Sequence, residues 1–217
     1  MDFQYFLKFI PELVQAPLLA DISHQKMMPL VRKELLEKID FKKINPREAA
    51  VMMLFYPKNK ETHLVLIVRN AYDGVHSAQI AFPGGKSEVE DLNFETTALR
   101  ETEEEVGISR DKIQVIKNFS SLYIPPSNFM VYPFLGICKE EINFVLDPIE
   151  VANIIELPLA VFMDDAIMSI ENLSTSYATN IEVPAYKIQN HIVWGATAMI
   201  LSELRDVLSA VLLSKKN

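Results

Sequence analysis

The chain has a single cysteine among its 217 residues. That excludes an internal disulfide, and Cys138 reads as a small buried side chain of a cytoplasmic protein rather than as a nucleophile. No apolar run reaches the roughly 18 residues a membrane span needs. Near the start stand Asp2 and Glu12, where a secretory leader would carry a basic segment and then an apolar core, so neither a span nor a leader is expected. Positive charge is in deficit: 21 Lys and Arg against 29 Asp and Glu give a formal charge of -8. This argues against a nucleic-acid partner, which would call for a basic stripe. A small phosphorylated substrate is compatible if a metal ion supplies the local positive charge. His24, His63 and His191 are scattered, without the spacing of a zinc site. Repeats, low-complexity tracts and Gly/Ser linkers are lacking too, and half of the residues are hydrophobic. One globular domain with a full core is the default.

What is there concentrates in one stretch, Phe82 to Ile108, FPGGKSEVEDLNFETTALRETEEEVGI. A double glycine after a proline opens a tight loop, an acidic segment follows, and the run Arg100, Glu101, Glu103, Glu104, Glu105 comes last. At about 100° per residue, Glu101, Glu104 and Glu105 share one helical face as i, i+3 and i+4 neighbours, and Glu103 points away to solvent. Phe94, Ala98, Leu99, Thr102 and Val106 fill an adjoining arc that would press the helix onto a core. Carboxylates brought together raise one another's pKa unless something positive lies among them. A hard divalent cation, which takes oxygen ligands and commonly bridges to phosphates, answers that need. Arg100 could fix a carboxylate with its planar fork. A solvated acidic face is the plain alternative on this pattern alone.

Along the rest of the chain, residues 1–45 read as amphipathic helices, with Phe3, Phe6, Leu7 and Ile10 at helical spacing, Pro11 and Pro17 as interruptions, and a second helix from about Pro29 to Ile39. They are expected to pack on the domain formed by residues 46–217, and their apolar faces could also serve a homodimer. Strands are expected at Arg47–Tyr56, His63–Arg69, Ile113–Ser120, Val131–Cys138 and Glu150–Leu157, with a loop over Leu122–Met130 and a short helix over Leu159–Met163. The unbroken apolar run Ala49–Tyr56 suggests a central strand covered on both faces. Segments near Ile167–Ile170, Ile181–Lys187 and His191–Trp194 are expected to complete one mixed sheet. A final helix from Gly195 to Leu213 carries Ala198, Leu201, Leu204, Leu208 and Leu212 on one stripe. The sum is an α/β sandwich.

The central stretch resembles the Nudix box, a glycine, five residues, Glu, seven residues, then Arg-Glu-U-x-Glu-Glu-x-Gly-U, where U is apolar. Here Gly85 is followed five residues on by Asp91 in place of Glu, and eight residues lead to Arg100-Glu101-Thr102-Glu103-Glu104-Glu105-Val106-Gly107-Ile108. Thr102 stands at an apolar position. The resemblance implies an α/β (α+β) fold of the Nudix α/β/α type, with a mixed central sheet and, here, an N-terminal helical extension. It implies hydrolysis of a diphosphate linked to another moiety, with Mg²⁺ or Mn²⁺ held by Glu101, Glu104 and Glu105. The Gly85 backbone would lie close by, and the base is left open between Glu101 and Glu105. Glu150 sits where Nudix enzymes often add a carboxylate, and a surface Glu at a strand edge is the alternative.

A further likeness runs through His76-Ser77-Ala78-Gln79-Ile80-Ala81-Phe82-Pro83-Gly84-Gly85, Leu66–Arg69 and Val193-Trp194-Gly195-Ala196-Thr197, which resemble segments of the coenzyme A pyrophosphatase branch. Asn70, Gly74 and Ala78 depart from that branch's Ser, Arg and Gly. By this resemblance the substrate is coenzyme A or an acyl-coenzyme A, cleaved to 3′,5′-ADP and (acyl-)4′-phosphopantetheine. ADP-ribose, NADH or a dinucleoside polyphosphate is the alternative, and a non-catalytic ligand-binding module on the same fold a third reading. Arg69 is expected either to bind substrate phosphate or to pair with a box glutamate. His76 is a candidate phosphate contact, with a structural hydrogen bond as its other reading, and Trp194 is expected in the core.

Overall fold

The structure, a computed structural model, describes residues 1–70, 79–174 and 180–213. The helices α1 (Phe3–Leu7), α2 (Ile10–Gln15), α3 (Asp21–His24) and α4 (Leu30–Glu37) come first. Strands β1 (Arg47–Lys58), β2 (Glu61–Arg69), β3 (Ile80–Ala81) and β4 (Gly84–Lys86) precede the helix α5 (Phe94–Val106). Then come β5 (Ile113–Asn118), β6 (Leu122–Ile124), β7 (Phe129–Cys138), β8 (Val151–Pro158) and α6 (Leu159–Phe162). The last elements are β9 (Met168–Leu173), β10 (Ile181–Ile188), β11 (His191–Trp194) and α7 (Gly195–Leu213).

The layers follow from the apolar run of β1, whose successive side chains must be buried on opposite faces. Met53 and Phe55 enter one core with Leu64 and Leu66 of β2, Phe3 and Phe6 of α1, and Leu201, Leu204 and Leu208 of α7. Ala50, Met52, Leu54 and Tyr56 enter the other with Val65, Ile67 and, from α5, Ala98 and Val106. Helices thus cover both faces of a mixed sheet, the expected α/β/α sandwich. In that sheet β1 runs parallel to β7 and antiparallel to β2 and β4, so β1 delivers the Gly84–Gly85 strand to the middle of the molecule.

Three expectations change. The segments 168–194 do not extend the central sheet but form a separate antiparallel sheet in the order β11-β10-β9. Half-buried and exposed residues alternate along β9, the pattern of a strand with one wet face and unlike the doubly covered β1. The expected loop 122–130 contains β6, which pairs with the start of β7. Pro11 begins α2 rather than interrupting a helix, as a first-turn position without need of an N–H permits.

The apolar faces of the leading helices are used largely inside the chain, where Phe3, Phe6, Phe9 and Leu13 are buried, while Ile22 and Leu30 stay exposed. Helix α7 is buried well beyond the expected stripe, with Met199, Ile200 and Val207 inside as well. It also buries Ser202 and Glu203, which receive the chain around α3. Among the described residues no helix is long and apolar enough to cross a membrane.

Candidate active site

Helix α5 begins where Asn93 accepts a hydrogen bond from the Thr96 N–H (2.9 Å) and ends at Gly107, whose φ of +73° is left-handed. Asp91 folds back onto the helix and accepts from the Glu88 N–H (3.0 Å) and the Thr97 hydroxyl (2.9 Å). Thr102, at a position the box pattern makes apolar, is fully buried and its hydroxyl donates to the Ala98 carbonyl (2.6 Å), so the polar atom is satisfied within the helix.

Arg100 organises the exposed half of the site. Its Nε and Nη2 donate to the two oxygens of Asp91, each at 3.0 Å, and Nη2 also donates to the Lys86 carbonyl (3.0 Å). Its Nη1 donates to Glu101 (3.0 Å) and Glu104 (2.9 Å). The fork holds the Asp91 carboxyl well below the usual carboxylate range. Asp91 is therefore the partner of Arg100, and a shorter side chain than Glu fills that place.

Glu105 has a different setting. It is 1 % exposed. Its Oε2 accepts from the Gly84 N–H (2.8 Å), while Oε1 has no hydrogen-bond partner and lies 3.6 Å from Nη1 of Arg69. Burial pushes its carboxyl up to about 8, against the Gly84 N–H and Arg69, and with Glu101 and Glu150 adding to the rise. Burial raises Glu101 too, opposed by Arg100 and reinforced by Glu104 and Glu150. Glycine is required here twice. Gly84 has φ +151°, and a Cβ on it would lie 2.4 Å from the Ala50 carbonyl oxygen; a Cβ on Gly85 would lie 2.5 Å from the Glu101 carboxyl carbon.

The sequence-designated residues are thus brought together unequally. Glu101, Glu105, Arg69 and Gly85 meet, and Glu150 is close enough to raise both buried carboxyls. The Glu104 side chain is 54 % exposed and turned to Arg100. Among the described residues no three acidic, His or Cys side chains are arranged as a ready metal cage, because Arg100 draws Glu101 and Glu104 while Glu105 turns to Gly84. The donor set nonetheless fits a hard divalent cation: every candidate ligand is oxygen, Oε1 of Glu105 is buried without a hydrogen-bond donor, and burial first, then the neighbouring carboxyls, raises Glu101 and Glu105 in spite of Arg100 and Arg69. Glu103 faces away, paired with Arg110. His76, with Gly74 and Ala78, lies outside the described residues.

Glu101, Glu150, Arg69 and Gly85 open onto a cavity of about 440 Å³. Its other walls are largely apolar, among them Ile80, Phe82, Ile124, Phe129, Trp194 and Ile200. Trp194, expected in the core, is half-buried and lines this space. Sequence reasoning also missed Asn70, whose side-chain amide donates to the Pro148 (2.9 Å) and Ile149 (2.7 Å) carbonyls and whose N–H donates to that of Glu150 (3.0 Å). It ties the end of β2 to the Glu150 loop. Its only signal in the sequence was a departure from the family pattern.

The NUDIX domain profile matches residues 46–171. The chain belongs to the Nudix family. A Nudix hydrolase named NudL from Photorhabdus laumondii is 36 % identical over 161 residues, covering 74 % of this chain and 84 % of the relative. Its namesake in Yersinia pestis (strain Pestoides F) is 31 % identical over 172 residues, covering 75 % and 80 %. Among solved structures, the Nudix hydrolase RenU of M. smegmatis superposes with a TM-score of 0.52 at 14 % identity, over 76 % of this chain and 88 % of that one. A C. elegans Ap4A hydrolase gives 0.50 at 16 %, over 77 % and 98 %. At those identities the structures speak for the fold. The chain is accordingly a Nudix pyrophosphatase, of a family that acts on small nucleoside diphosphate derivatives and generally uses a divalent ion such as Mg²⁺ or Mn²⁺.

Proposed function

We propose that this Nudix hydrolase cleaves the diphosphate of coenzyme A or an acyl-coenzyme A, releasing 3′,5′-ADP and (acyl-)4′-phosphopantetheine. One observation carries the reading. Two of the three stretches that resemble the coenzyme A branch, His76–Gly85 and Val193–Thr197, are more than a hundred residues apart in sequence, yet residues of both, from Gln79 onward in the first and from Trp194 onward in the second, line the cavity that holds Glu101. They are joined directly, the Thr197 hydroxyl donating to the Ile80 carbonyl (2.9 Å).

In this reading Glu101, Glu104 and Glu105, with Glu150 and the Gly85 backbone, hold the divalent cation. A bound cation supplies neutralisation of the diphosphate and acidifies water near the reacting phosphorus. Glu101, which faces the cavity and whose proton affinity burial raises, accepts the proton of the attacking water. Arg100 keeps Glu101 and Glu104 in place from behind, and Arg69 offers its guanidinium to a phosphate oxygen.

The test is a product analysis with Mg²⁺ or Mn²⁺ against coenzyme A, ADP-ribose, NADH and diadenosine polyphosphates, with Glu101→Gln as the blank. Release of 3′,5′-ADP from coenzyme A well above the other turnovers, and its loss in the variant, is the expected result. Preference for another of these substrates would keep the Nudix chemistry and overturn the coenzyme A assignment.

A further inference from the structure

The segment ahead of β1 lies outside the matched NUDIX domain, yet it supplies one wall of the substrate cavity through Pro29, Arg32 and Leu35. That wall is fastened at both of its ends. Upstream, the Ala20 N–H donates to Glu203 (2.7 Å), Lys26 Nζ donates to Asp206 (2.6 Å), and the Ser202 hydroxyl donates to the Ser23 carbonyl (2.8 Å), so residues 20–26 are pinned to α7. Downstream, the buried guanidinium of Arg32 donates to the Tyr123 carbonyl of β6, and Phe41 meets the Tyr123 ring edge to face at 5.9 Å. A helix as short as α4 is marginal by itself; these contacts hold it in register over the cavity.

Chemically, this wall differs from the carboxylate wall. Leu35 shares the cavity with Ile124, Pro126, Phe129 and Ile200, which offer a ligand contact area and few hydrogen bonds. Beside Leu35 such a wall favours an apolar group, while Gln79, Lys86 and Ser127 line the same cavity and face the polar parts of a ligand. The volume of about 440 Å³ lies in the range of small-ligand sites.

We propose that α4 is a specificity element of the diphosphatase site, and that Leu35 sets the size of the apolar group, an acyl thioester, on the arm the substrate carries beyond its diphosphate. This rests on the coenzyme A reading given above.

The experiment compares kcat/KM for octanoyl-coenzyme A and for free coenzyme A, with Mg²⁺, in the wild type, Leu35→Trp and Leu35→Met. The ratio of the two constants on one preparation is independent of how much of it is folded. The ratio is expected to fall roughly tenfold or more in Leu35→Trp, the scale of a blocked apolar pocket, and to return to within about twofold of wild type in Leu35→Met, which conserves volume. A ratio unmoved in Leu35→Trp would overturn the inference. So would equal losses on both substrates, since they would set the shared nucleotide arm against Leu35. Absence of cleavage of either coenzyme A species by the wild type, with turnover of another nucleotide, would overturn the coenzyme A reading and this inference with it.

Discussion

Glu105 and Glu203 are the same residue at the same burial, 1 % and 0 % exposed, and the chain treats them in opposite ways. Both oxygens of Glu203 are satisfied: Oε1 by the Ala20 N–H (2.7 Å) and the Ser120 hydroxyl (2.6 Å), Oε2 by the Ser120 N–H (3.1 Å), with His24 Nε2 at 3.6 Å. Burial pushes its carboxyl up, yet those donors hold it below the ordinary value. Glu105 has one backbone donor and an oxygen with no hydrogen bond, 3.6 Å from Arg69 Nη1, and its carboxyl still rises to about 8. A buried charge completed by its own chain is a fastening. One left incomplete is waiting for positive charge from outside, and that distinguishes a site from a scaffold.

The comparison can be broken most forcefully on the catalytic side. Glu101→Gln and Glu105→Gln should each lower kcat by about 10²–10⁴ while the circular dichroism spectrum stays that of the wild type; full activity in either would remove that residue from the site. Glu203→Ala should act on stability instead, because it leaves two part-buried N–H groups and a hydroxyl without their acceptor, at up to about 1–3 kcal/mol each. A clear drop in melting temperature is expected, and an unchanged one would show that the fastening is idle.

The pH dependence sharpens the contrast. Below pH 4.5 the Glu105 carboxyl is protonated folded or unfolded; between there and about 8 only the folded state keeps the proton. Stability of the metal-free protein therefore falls as pH rises through that window and levels off above it, by a few kcal/mol in the limit of about 1.4 per unit. Glu105→Gln should remove that slope in denaturant titrations, and a slope retained in the variant would assign it to other groups. Asp91→Asn comes next, since it breaks the fork that steadies Arg100. A loss of about 10–100-fold in activity is expected for a partner of that kind, read as kcat/KM. The smallest effect is reserved for Thr102→Val, which restores the apolar residue of the box and should shift unfolding by less than about 1 kcal/mol, since a methyl replaces the hydroxyl and the Ala98 carbonyl keeps its helical N–H donor.

Much of this was legible in the sequence for physical reasons. The unbroken apolar run of β1 demanded cover on both faces, and the 3.6-residue period placed Glu101, Glu104 and Glu105 on one side of a helix and sent Glu103 to solvent. What periodicity could not see was the third dimension. Arg100 turns Glu101 and Glu104 aside while Glu105 turns inward to Gly84, a division made by contacts from β4 and the loop before α5. Glu203 gave no signal in the sequence because its partners lie more than 80 residues away. The cavity wall formed by α4 and Trp194 was likewise invisible, since it is assembled from both ends of the chain, and the alternation in β9 was not weighed as the mark of a second sheet.

Calorimetric titration of the metal-free protein with Mg²⁺ and Mn²⁺, in buffers of differing ionisation enthalpy between pH 6 and 9, tests the central claim most directly. The account predicts binding that releases close to one proton near pH 6, a release that fades above pH 8, and both signals lost in Glu105→Gln but retained in Glu203→Gln. Binding of equal strength and equal proton release in wild type and Glu105→Gln would contradict it.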